Sequence, residues 1–204
     1  MTAETATASG GASARRENRR AERGRRAWGR QALIGLTGLF CLAAGVLEYL
    51  TGRGGEVYFL EPLPGLAAAF RGLPSPFGAW GTVAPDFLHA MGIALLAMAA
   101  APPSRRARRW ICAVWLLIAA GFEAGQAAGA RAAALLPAWL QGLPVLGRLG
   151  DYFVRGVFDP ADLAAAFLGV AAAFGIGELL LRRPAAPGFI RRSASRSWRS
   201  GSRP

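Results

Sequence analysis

Three pairs of polar residues recur at one spacing inside otherwise apolar stretches: Asp86 with His89, Glu123 with Gln126, and Asp159 with Asp162. Residues three apart lie on one side of a helix, so each pair would present two polar groups together. A histidine near carboxylates can perform general acid–base chemistry or help to bind a metal ion. The chain has a single histidine, which makes only a sparse zinc site, and no spaced nucleophile motif accompanies it. The pattern therefore leans away from an enzyme, and neither a metal nor a cofactor is expected. The alternative chemistry is binding: carboxylates, an imidazole and an amide lining a pocket can engage a polar head group.

The surroundings raise the stakes. An ionisable side chain at the centre of a bilayer costs about 2.5–3.5 kcal/mol on insertion scales, so such a residue is a functional candidate by default. Each also has a structural reading. His89 can hydrogen-bond Asp86 or Glu123 and tie two helices together. Asp159 is placed to cap a helix beginning at Pro160, and Asp162 suits the positive end of that helix. Glu48 sits near a span end, where water would solvate it, although it could join the same polar layer. Glu123 is the hardest to explain away, because Phe122 and Ala124 flank it deep within an apolar run.

The elements that must position these groups follow from composition. The chain is 53% hydrophobic yet carries a net charge of +12 over 204 residues. Both can hold only if apolar and basic residues are segregated. All 24 basic residues are arginines, concentrated in blocks over 15–30, 105–109 and 182–203. Nucleic-acid binders gather basic residues on a folded patch, whereas here the blocks flank hydrophobic spans, as in membrane proteins. Nucleic acid is therefore not the expected partner. Cys41 and Cys112 lie in or beside apolar runs and read as buried free thiols, not as a disulfide framework.

An all-α, polytopic membrane bundle results. A disordered basic tail over 1–27 precedes a transmembrane domain over 28–183, and a second basic tail covers 184–204. Four spans are expected at about 31–50, 86–101, 110–130 and 160–181. The second is short and is closed by Pro102 and Pro103. A fifth span over 132–146 is disfavoured by Pro137, Gln141 and Pro144. The Arg25-Arg26 pair ahead of the first span loosely resembles an export signal, but no convincing cleavage site follows, so the span is expected to be retained.

With four spans, nineteen of the 24 arginines fall in the two tails and the 102–109 loop, and five (Arg53, Arg71, Arg131, Arg148 and Arg155) in the other two loops. The positive-inside rule then puts both termini in the cytoplasm. Glu123 lies roughly 20 Å beyond Trp110 at about 1.5 Å per residue, in the outer leaflet. Asp86, His89, Asp159 and Asp162 begin spans that enter from outside, so they share that level. Small residues at Gly121, Ala124, Gly125, Ala164 to Ala166 and Gly169 favour close helix packing around them. Arg131 and Arg155 would stand at the rim, and the apolar outer loops read as interfacial or re-entrant. At the other end, Glu178 is expected to pair with Arg182.

The order Asp86-x-x-His89-Ala90, Glu123-x-x-Gln126, then Phe158-Asp159-x-x-Asp162 followed by Gly169 resembles the VanZ-like family of small bacterial membrane proteins over about residues 80 to 177. The family's founding member is associated with resistance to the glycopeptide teicoplanin. The chain departs from the family near the first motif, where a lysine or similar residue is usual, and in having Ala165 and Ala166 where an asparagine is usual; Arg131 or Arg155 takes the place of the family's arginine. The resemblance implies a multi-pass protein of the cytoplasmic (inner) membrane with a role in the cell envelope. The expected partners are the bilayer, a lipid-linked or other amphiphilic envelope intermediate, and other membrane proteins. An intramembrane acid–base or metal enzyme, a proton-coupled transporter and a structural assembly subunit are the alternatives.

Overall fold

In the computed structural model, residues 5–52, 64–70, 72–143 and 146–181 are described. The expectations for Arg53, Arg71, Pro144, Arg182 and the tail over 184–204 lie outside them. The described residues form helices joined by turns and irregular loops, with no strand. Seven α-helices follow in order: α1 Thr5–Gly52, α2 Pro64–Phe70, α3 Ala84–Ala100, α4 Arg105–Ala128, α5 Ala130–Ala134, α6 Leu149–Arg155 and α7 Pro160–Leu181. Short 3-10 turns occupy Gly78–Trp80, Ala138–Gly142 and Leu146–Arg148.

Three helical segments are long and apolar enough to cross a membrane: Glu17–Thr51 of α1, α4 and α7. Helix α3 is apolar but shorter, at 17 residues. It spans about 25 Å at 1.5 Å per residue, against a hydrocarbon core of about 30 Å.

Two boundaries differ from the sequence expectation. The segment read as a disordered tail is helical from Thr5, because Ala, Arg and Glu are good helix formers and extending a helix already anchored by its apolar half adds a hydrogen bond per residue without a new nucleus. Helix α4 starts at Arg105 rather than Trp110. Ser104 caps it, its hydroxyl oxygen accepting the Ala107 N–H at 3.0 Å, so the arginine block forms the first turns of the helix. Gly129, with φ of +54°, ends α4. Helix α7 has the expected limits.

Helix α3 is the centre of the bundle. It runs antiparallel to α1, as the pairing of Gln31 with Ala101, Gly35 with Ala99 and Gly45 with His89 shows. The two backbones cross at glycine: a Cβ on Gly38 would lie 2.8 Å from the Gly92 carbonyl oxygen. On its other side α3 runs parallel to α7, where Gly169 meets the Phe87 carbonyl. Helix α4 is antiparallel to α7, with Arg108 beside Glu178 and Glu123 beside Asp159. Close backbone approach through small residues is the usual basis of helix association in lipid.

The core consists of Ile34, Ala90, Ala94, Leu95, Met98, Cys112, Ala166, Val170, Ala173 and Leu181. Of the small residues expected inside, Gly125, Ala165, Ala166 and Gly169 are buried, whereas Gly121, Ala124 and Ala164 face outward. The outward face of α4 is apolar, with Leu117 73% exposed.

Candidate functional site

Antiparallel packing brings the end of α1, the start of α3, the end of α4 and the start of α7 to one end of the bundle. Glu123 occupies the second turn from the end of α4. Its Oε2 accepts the Asp159 N–H at 3.3 Å, and its carboxylate lies in the field of Asp162 and Asp159. Asp159 caps α7 as expected, its Oδ1 accepting the Ala161 N–H at 2.8 Å. Asp162 is half-buried in the first turn of α7.

The sequence reading missed the residue that joins these groups. Tyr152 of α6 hydrogen-bonds the Gln126 side chain and lies in the field of Glu123, Asp86 and Asp162. Burial, followed by the carboxylates Glu123 and Asp86, raises its phenol above the ordinary tyrosine value, and the Gln126 hydrogen bond offsets part of that rise. Tyr152 is set in place by its neighbour. The Phe153 ring fills the space over Gly125, where a Cβ would lie 2.6 Å from its Cζ and closer still to Cε1. Phe122 stands edge-on to both rings, with centroids 5.7 Å from Tyr152 and 6.2 Å from Phe153. Gly156 lets the chain pass Gln126, whose Cγ would be 2.7 Å from an added Cβ. A DYF tripeptide in a loop gives little warning of such a role. The only cue was that the segment is apolar yet too short to span.

Glu123, Asp86 and Asp162 thus share the electrostatic surroundings of Tyr152, which Gln126 hydrogen-bonds, and Asp159 joins them through its backbone bond to Glu123. His89 is placed elsewhere. Its ring stacks on Tyr49 at 5.4 Å and 26°, lies over Gly45 and hydrogen-bonds the Pro85 carbonyl. The expected tie between His89 and Asp86 or Glu123 therefore gives way to a seam between α1 and α3. The reason is geometric: α3 has neighbours on both sides, so residues three apart can point to different ones. Arg131 on α5 and Arg155 in the last turn of α6 are exposed beside the cluster.

Glu48 also departs from expectation. It is only 2% exposed, because the segment after α2 folds back over the end of α1. The Ser75 hydroxyl donates to Oε1 at 2.7 Å and the Phe77 N–H to Oε2 at 3.4 Å, and Gly81 packs against the carboxylate. At the opposite end of the bundle, Glu178 pairs across helices. Arg108 Nη2 meets it at 2.6 Å and Arg105 Nε at 3.4 Å.

Chemically, this end of the bundle offers carboxylate oxygens, an amide and a half-buried phenol. Among the described residues, no three His, Cys, Asp or Glu side chains are grouped to hold a metal ion. No protein family, curated protein or solved structure matches the chain.

Proposed function

We propose that this chain is a VanZ-like multi-pass protein of the bacterial cytoplasmic membrane, crossing it four times with both termini inside, and that the Tyr152 cluster binds the head group of a lipid-linked envelope intermediate. One observation carries the reading: polar side chains from four helices converge at the bundle end opposite the buried Arg108–Glu178 pair and its arginine block. Charge segregation of this kind orients a membrane protein, and polar groups inside a span are seldom kept without a use. Helix α3 completes the fourth crossing if the bilayer thins locally around it, at modest cost. Hydroxyl and amino groups of a head group suit the carboxylates, while Arg131 and Arg155 suit a phosphate. The resemblance to the VanZ-like family supports a role in the envelope.

A second reading, a structural assembly subunit, draws on the Asp159 cap and the Glu123 bond to the Asp159 N–H, both of which serve the fold. Equilibrium binding of a fluorescent polyprenyl-pyrophosphate-linked amino sugar to the protein in lipid nanodiscs separates the two. The binding reading expects saturable binding weakened about tenfold by Tyr152→Phe, as for the loss of one hydrogen bond to a charged or buried partner. Absence of saturable binding by the parent protein would leave the structural reading in its place.

A further inference from the structure

The other end of the bundle holds a second feature. Between α3 and α4 lies an open groove of about 270 Å³, lined by Ile93 and Ala97 on one side and Trp110, Ile111, Val114 and Trp115 on the other. Cavities that hold a whole drug-sized ligand run to about 300–1,000 Å³, so this open groove suits part of a single hydrocarbon chain, the rest of which lies in the bilayer. At its end nearest the start of α4, Arg106 stands one turn before the lining residue Trp110 and Arg109 immediately before it, both exposed. Positions four apart share a helix face, so Arg106 lies on the same face as Trp110 of the groove wall.

Among the described residues, the charge at this end of the groove is unbalanced. Of the arginines over 105–109, Arg108 is buried against Glu178 and Arg105 also reaches that carboxylate, which leaves Arg106 and Arg109 facing outward. The same point is the positive end of a 24-residue helix, which favours an anion.

We propose that this groove holds one acyl chain of an anionic glycerophospholipid, with Arg106 and Arg109 meeting its phosphate. An apolar slot with paired guanidinium groups at one end matches an amphiphile with a single charged head, and basic sites between membrane helices on the cytoplasmic side are suited to anionic lipid. The proposal rests on the membrane reading above but not on the Tyr152 cluster, which lies at the other end of the bundle.

Native mass spectrometry of the full chain, released from micelles containing equal dioleoyl-phosphatidylglycerol and dioleoyl-phosphatidylcholine, tests it. Retention of phosphatidylglycerol should exceed that of phosphatidylcholine by about tenfold or more, as expected for two arginines acting on a lipid head group. Arg106→Gln with Arg109→Gln should bring the two lipids toward equality. Ala97→Phe, and separately Val114→Phe at an exposed wall position, should each cut the bound phosphatidylglycerol several-fold with the arginines intact. Excess inorganic phosphate should not displace the lipid.

Equal retention of both lipids by the parent overturns the proposal. So does a preference unchanged by both groove-filling variants, displacement by phosphate alone, or occupation of the groove by a second copy of the chain, seen as a dimer lost in Val114→Phe. A chain that stays soluble and lipid-free without detergent would instead refute the membrane reading itself.

Discussion

Neutralising Glu178 should be among the most damaging single changes in this protein. The Arg108 side chain is 6% exposed and contacts Glu178 through both Nε, at 3.2 Å, and Nη2, at 2.6 Å. Gly177 makes room for it, since a Cβ there would lie 3.0 Å from Arg108 Cδ. Glu178→Gln leaves a buried guanidinium without its counter-charge, and removing one partner of such a pair costs about 3–5 kcal/mol. The Arg105 contact is different. That side chain is 61% exposed, where a salt bridge is worth about 0–1 kcal/mol after solvent screening, so Arg105→Gln should change little. Replacing both buried partners, as Arg108→Met with Glu178→Leu, should recover most of the loss, because an apolar pair avoids the desolvation of two charges. The assay is built into the chain: Cys41 and Cys112 are free and buried, so a thiol-reactive dye reports unfolding in detergent. With about 2–4 °C per kcal/mol for a chain of this size, Glu178→Gln should melt roughly 6–20 °C below the parent. A drop no larger than that of Arg105→Gln would refute the reasoning and mean that water already reaches the pair.

Two further outcomes follow from α6. Gly125→Ala puts a methyl group where the Phe153 ring sits, so α6 must withdraw; overpacking of this kind costs about 1–3 kcal/mol, and hydrogen exchange over 149–155 should accelerate while that over α7 does not. Tyr152 should ionise above the ordinary tyrosine pKa of about 10, because burial and the nearby Glu123 and Asp86 carboxylates oppose its charge. Its contribution to stability is fully present below the unfolded-state value and is lost as pH rises through the higher folded-state value. An ultraviolet titration of parent against Tyr152→Phe checks this: the component missing from the variant should be the late one, and a component at or below the ordinary value would remove the carboxylates from its surroundings.

The elements were legible where local chemistry decides them. Pro160 after a capping aspartate, and prolines at 102 and 103, set the limits of α7 and α3 with little help from tertiary structure. The start of α4 was less legible, because an arginine run reads as a loop unless Ser104 is recognised as its cap. The polar cluster was partly visible, since regular spacing put Glu123 with Gln126 and Asp159 with Asp162. What spacing could not reveal was direction. Asp86 and His89 are equally periodic, yet Asp86 acts on the Tyr152 phenol while the His89 ring stacks against α1. Partners far apart in the chain were invisible for the same reason: Tyr152 with Gln126, Ser75 with Glu48, and Arg108 with Glu178 each depend on how the helices pack.

The central claim is that the Tyr152 cluster faces away from the cytoplasm while the arginine-rich end faces it. Labelling of single cysteines in intact cells tests it most directly, and the two native cysteines are buried. Ala130→Cys is exposed beside the cluster, and Arg106→Cys is exposed at the opposite end. A membrane-impermeant maleimide should label position 130 in intact cells and position 106 only after permeabilisation. The reverse pattern, or labelling of both positions from outside, would contradict the account.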